Sequence, residues 1–159
     1  GIRYDAIDAC VEMPDSDDLV VLVKRITALD SFLQTKNGIN LLSGFKRANN
    51  ILIAEEKKDG VKYELDPELK FLKDPNEKKL YSALNDAKLK IKIDLKEENF
   101  TEAMSAMADL REPIDRFFKE VKVNDENQII RRNRLCLLNN IKNVCCSVSN
   151  LNYIQESTK

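Results

Sequence analysis

Ser43, Lys46, Arg47 and Asn50 are spaced to carry chemistry suited to a polyanion. At about 100° per residue they gather on one side of a helix predicted over 39–58, while Leu41, Phe45, Ala48 and Leu52 gather opposite. Two cations in such a set neutralise phosphates. The amide and hydroxyl can hydrogen-bond to the edges of splayed single-stranded bases. A solvated outer face has the same composition, so residue types alone leave both readings open. Asn49 beside Asn50 tilts the balance slightly, because Asn is a middling helix former and solvation alone is better served by Glu or Lys.

A second cationic group is spread over two later segments. Arg111, Arg116, Lys119 and Lys122 project from a helix that contains Pro113, and Arg131 and Arg132 follow the turn at Asn124. The expectation is a basic rim where the two helices meet. Glu112, Asp115, Glu120 and Glu126 interleave with these cations, which is equally the pattern of surface ion pairs. Arg134 falls on the same side as Ile130, Leu137 and Ile141, so it either reaches past the core or is buried against a carboxylate or helix-end carbonyls. The buried structural role is the expectation.

Catalytic chemistry finds little to work with. The chain contains no histidine, the commonest general base and a frequent metal ligand. It has no Gly-rich phosphate loop, no GxSxG and no Cys paired with a base. Cys10, Cys136, Cys145 and Cys146 include no CxxC, and the adjacent pair points to different helix faces, so reduced thiols and no metal are expected. Met104 and Met107 have core spacing. A formal net charge of -1 exerts no global pull on nucleic acid, so any RNA contact must come from a local basic face.

The elements that position these residues read as helices. With 43% hydrophobic and 33% charged residues, and only four Gly and four Pro, the 159-residue chain is too apolar for disorder and too poor in turn formers for a many-stranded fold. No apolar run approaches the roughly 18 residues of a membrane span, and the N-terminus lacks a signal-peptide pattern, so a soluble, cytoplasmic protein is expected. Helices are predicted over 2–13, 19–35, 39–58, from Pro75 to about Lys96, from Thr101 to Val121, and over 126–148. Leu22, Val23, Ile26, Leu29 and Leu33 form the predicted inner stripe of the second. Asn37-Gly38 reads as a stop, 61–75 as an irregular connector with a helical turn at 68–72, and Pro113 as the cause of a kink near Asp109. The expected fold class is all-α, an antiparallel bundle of five to six helices. Gly1 stands where an initiator Met would, so the chain reads as part of something longer. Residues 1–15 are expected as the tail of a preceding helical region and 16–159 as the helical domain.

The order of motifs adds a resemblance. Asp17-Asp18-Leu19, then GINLLSGFKRANNIL from Gly38 to Leu52, LREPIDRFFKEVKV from Leu110 to Val123, and NRLCLL from Asn133 to Leu138 together resemble the C-terminal region of glycyl-tRNA synthetase β subunits. The resemblance spans most of the chain and is most specific from Asn40 to Leu52. Lys119, Lys122 and Asn124 depart from the acidic and Met-rich residues usual in the family, and Ile130-Arg131-Arg132-Asn133 replaces a literal DALR string.

The resemblance implies a helical DALR-type anticodon-binding domain that contacts tRNA(Gly). It further implies a separate catalytic α subunit in an α2β2 assembly, with ATP used by the complete enzyme and no cofactor in this piece. Carried over by position, Lys46, Arg47 and Asn50 are the first choice for RNA contact, followed by Ser43, Arg111, Arg116, Arg131 and Arg132. Arg134 and Pro113 are expected to be structural. The competing expectation is a structural or subunit-docking bundle without RNA contact.

Overall fold

Side-chain caps set where the helices begin. The computed structural model describes residues 1–156; residues 157–159, the end of the expected 16–159 domain, lie outside the described residues. After α1 (Tyr4–Val11), Asp18 accepts hydrogen bonds from the N–H groups of Val20 and Val21 and starts α2 (Leu19–Leu33). Thr35 accepts from the Gly38 N–H at 3.0 Å and starts α3 (Lys36–Asp59), which Gly60 closes at φ 69°. Asp74 and Glu77 form a capping box around Pro75 at the start of α4 (Pro75–Lys96). α5 (Phe100–Ala108) and α6 (Arg111–Glu120) follow, and Asn127 caps α7 (Gln128–Cys145). Short 3-10 turns occupy Leu69–Phe71 and Leu151–Tyr153.

Contacts between named residues fix the directions of these helices. Glu55 and Asp59 near the end of α3 meet Arg131 at the start of α7, while Lys46 and Asn49 meet Asn152 just beyond α7, so these two helices run antiparallel. Asn37 meets Arg111 and Arg47 meets Phe118, so α6 runs in the same direction as α3. Glu77 meets Arg134, and Ile91 shares a groove with Val144, so α4 and α7 also run together. Successive members of the main bundle therefore alternate in direction, yet two neighbouring pairs are parallel. The cause is residues 60–74. This connector crosses α7, where the Glu68 N–H donates to Asn133 Oδ1 at 2.7 Å, and so carries the chain from α3 to the diagonal position of α4.

α7 sits deepest. Leu135, Leu137, Leu138, Ile141 and Cys145 are fully buried, and the polar residues Asn133, Arg134 and Asn139 are largely so. α1 shares the same core: Ala6, Ala9 and Cys10 are fully buried, and the Ala9 carbonyl accepts from the Asn150 N–H at 2.8 Å. Burial pushes the Cys10 thiol up to about 11, so it behaves as a packed apolar group. Among the described residues all four cysteines are free. No helix there is long and apolar enough to cross a membrane.

Three expectations about the elements are corrected. Asn37-Gly38 is not a stop but the first turn of α3, which follows α2 after only Gln34 and Thr35. Gly38 is required there because a Cβ would lie 1.9 Å from the Phe32 carbonyl oxygen, inside any allowed contact. The segment around Pro113 is not one kinked helix but two, broken at Asp109 and Leu110, while the all-α class of the described residues is as expected. Pro113 becomes the third residue of α6, where its missing N–H has no helical acceptor to lose. On α2, Val23 is 53% exposed, whereas Arg25 is buried under the Val148 and Pro14 carbonyls with its guanidinium over Phe100.

Candidate nucleic-acid interface

α3 presents Ser43, Arg47 and Asn50 to solvent and Lys46 partly so, while Leu41, Phe45, Ala48 and Leu52 point inward. The two cations of this face diverge. Arg47 lays its guanidinium over the Phe118 ring of α6, 4.6 Å from its centroid. Lys46 leans the other way, toward the carbonyl of Asn152 at 3.3 Å. Ser43 and Asn50 lie between them. Among the described residues neither Lys46 nor Arg47 comes within ion-pair distance of a carboxylate, so both charges remain available to an external anion.

Each side of the strip is walled. On the α6 side Gly44 allows close approach, since a Cβ there would lie 3.0 Å from Ile114 Cγ2. That closeness brings Phe118 and Asp115 up to Arg47, and a shallow groove of about 180 Å³ runs between the helices over Asn40 and Ser43. On the other side Asn49 is buried and donates to Asn152 Oδ1 at 2.8 Å, tying the segment after α7 to α3. Burial pushes the Cys146 thiol there above its ordinary value, against the smaller opposing pull of Lys142 and Lys46, two cations near the end of α7.

The expected basic rim is not assembled. Arg111 hydrogen-bonds to Asn37 at the start of α3, and Arg131 binds Glu55 and Asp59 near its end, positions separated by about 27 Å of helix rise. Arg111 also lies 3.8 Å from Asp115, and Arg116 lies 3.8 Å from Glu112, so both are paired on their own helix. Arg132 is exposed but sits beside Glu68 and Asp66 on the connector side of α7.

Arg131 is corrected from surface cation to interior one. It is 9% exposed; Nη2 donates to Glu55 at 2.6 Å and Asp59 at 2.7 Å, Nε to Asn124 at 2.9 Å, and Nη1 to Tyr63 Oη at 3.3 Å. Desolvation works against its charge, but the hydrogen bonds to Asp59 and Glu55 outweigh it and hold the guanidinium above its ordinary value. Hydrogen bonds from Asn124 and then Arg131 hold the Glu55 carboxyl below the usual range, and those from Tyr63 and then Arg131 do the same for Asp59. Arg134 is likewise interior, donating to Glu77 at 2.8 Å and to the Lys122 carbonyl at 2.6 Å.

Sequence reasoning missed Phe118, Asp115, Asn152 and Lys142 as neighbours of the α3 face. Phe118 follows Phe117 on an amphipathic stripe, and only its rotation toward the edge of that stripe hinted that it was not wholly core. Nothing local marked the other three, because their proximity comes from packing across the bundle. Among the described residues no group of His, Cys, Asp and Glu could hold a metal ion.

Comparison with known proteins places this geometry in a family. Residues 41–151 match the sequence model described as DALR anticodon binding domain, a stretch that contains the whole α3 face and its α6 wall. Over 155 residues, 98% of the chain, it is 50% identical to a protein of Ruegeria sp. (strain TM1040) and 52% identical to one of Cereibacter sphaeroides (strain ATCC 17029 / ATH 2.4.9), both called glycine–tRNA ligase beta subunit. A similarly named protein of Paracoccus denitrificans (strain Pd 1222) is 48% identical over 89% of the chain. The chain spans only 23%, 22% and 21% of the length of these relatives. With the greater part of its length matched, from α3 through α7, the chain belongs to the DALR anticodon binding domain family.

Proposed function

We propose that this chain is the anticodon-binding module of a glycine–tRNA ligase β subunit, gripping tRNA(Gly) while the chemistry takes place elsewhere in the enzyme. The α3 face carries the reading: among the described residues Lys46 and Arg47 are without carboxylate partners beside exposed Ser43 and Asn50, whereas Arg111, Arg116, Arg131 and Arg134 are tied to acids. The names of the relatives supply the substrate class. On this reading the chain holds no cofactor, and the complete enzyme uses ATP to charge tRNA with glycine, working with a catalytic α subunit in an α2β2 cytoplasmic assembly. The binding unit on this reading is 16–159, with α1 of residues 1–15 packed into the same core.

Binding of the chain to tRNA(Gly) across a salt series tests the assignment. Two lost phosphate contacts to single-stranded RNA lower the slope of log K against log salt by roughly 1.4 for Lys46→Ala with Arg47→Ala. An unchanged slope in a folded variant places the RNA elsewhere. A second reading, a subunit-docking bundle, is favoured by Leu19, Val20 and Val23, which are 71%, 66% and 53% exposed on the outside of α2. The two separate on a tRNA with altered anticodon, because docking alone gives no anticodon preference.

A further inference from the structure

We infer that the groove between α3 and α6 is a single-base subsite that selects a nucleobase bearing an exocyclic amine, with Arg47 as its stacking plane and Asp115 as its reading acceptor. The inference rests on the tRNA-binding reading above. At about 180 Å³, lined by Asn40, Ser43, Gly44, Arg47, Asp115 and Phe118, the groove is on the scale of one flat ring system rather than a larger ligand.

Its side wall is prepared for stacking. The Arg47 guanidinium is planar; Phe118 covers one face at 4.6 Å, and Phe118 is itself braced edge-on by Phe117 at 5.5 Å. Arg47 remains exposed, so its second face is open to a base, and guanidinium planes stack splayed bases well. Gly44 keeps the floor low, because no side chain rises from α3 at that point.

Asp115 gives the groove its selectivity. A carboxylate accepts and never donates, and beside Arg47, among the described residues the one cation lining the groove, it works against a purely electrostatic grip on phosphate. Its cation partner, Arg111 Nε, is 3.8 Å away, and its side chain is 55% exposed, which leaves oxygen lone pairs free to accept from a ligand. Opposite position 4 of a pyrimidine such an acceptor takes the hydrogen bond of the cytosine exocyclic amine, as it would that of adenine or guanine, whereas uracil presents a carbonyl there and is repelled, its N3–H lying one position away. Cytosine and uracil share ring size and O2 and differ at position 4, amine against carbonyl, and at N3, acceptor against N–H donor, so a carboxylate set opposite position 4 separates them.

The test uses anticodon stem-loops of tRNA(Gly) in which each loop position carries cytosine or uracil in turn. At one position the chain is expected to prefer cytosine by about tenfold, the scale of a well-placed base contact. Asp115→Asn, at an exposed site and checked for folding by circular dichroism, removes most of that preference and strengthens binding of the uracil RNA, because an amide both accepts and donates. A preference unchanged by Asp115→Asn at every position overturns the subsite. If Lys46→Ala with Arg47→Ala weakens binding while the preference stays, only the subsite fails. If that double variant leaves binding unchanged as well, the RNA lies off the α3 face and the reading of that face fails with the subsite; absence of tRNA(Gly) binding by the unmodified chain overturns the tRNA-binding reading itself.

Discussion

Arg134 Nη2 donates to Glu77 Oε1 across 2.8 Å, and the carboxylate it meets is fully buried. The same oxygen accepts from the Asp74 N–H at 3.0 Å, so one carboxylate both caps α4 and anchors α7. Removing the guanidinium leaves that charge without its cation in the interior. Arg134→Met is expected to cost about 3–5 kcal/mol, the range for stranding one member of a buried pair, read as a lower urea midpoint. A loss within about 0.5 kcal/mol, typical of exposed surface positions, contradicts the structural role.

Arg131 gives a prediction in pH rather than in RNA affinity. Glu55 and Asp59 have folded-state pKa values below their unfolded ones, so their contribution to stability is complete above the ordinary carboxylate range and is lost as pH falls through the depressed values. Arg131→Met should lower stability at neutral pH and flatten the acid limb of the stability profile. Its tRNA salt slope should match that of the unmodified chain, since the guanidinium already has its anions. A drop in slope equal to that of the Lys46 and Arg47 variant returns Arg131 to the binding surface.

Two glycines of α3 should differ in their tolerance of a methyl group. Gly38→Ala places Cβ 1.9 Å from a backbone oxygen, and Gly44→Ala places it 3.0 Å from the end of the Ile114 side chain, which can shift. Overpacking costs typically about 1–3 kcal/mol, and Gly38→Ala should fall at or above the top of that range while Gly44→Ala falls below it. Thermal melts of the two variants check the order. A reversed order removes the close approach of α2 and α3 as the reason for Gly38.

Periodicity carried most of the fold. The inward positions Leu80, Leu84, Ala87 and Ile91, and again Ile130, Leu137, Ile141 and Val144, are all buried as their spacing requires. It failed where one residue type serves two local purposes. Glycine ends helices and also permits close approach, so Gly38 read as a stop although it sits in a first turn. Proline kinks helices and also opens them, so Pro113 read as a kink inside one helix although it starts another. For the candidate site, the α3 face was legible because Ser43, Lys46, Arg47 and Asn50 belong to one helix. The rim was not, because its members belong to different helices and only packing decides whether those approach.

The sequence by itself determined the helices, their inner faces and the family, since each of these depends on residues close together along the chain. Only the tertiary structure decided which cations are free. Arg47 and Arg131 have the same chemistry and each stands on an amphipathic helix, yet one stacks on Phe118 at the surface and the other is held by Glu55 and Asp59 inside. The difference lies in the neighbouring helix. A guanidinium beside an aromatic ring keeps its charge for a ligand, whereas one between two carboxylates has already spent it on the fold.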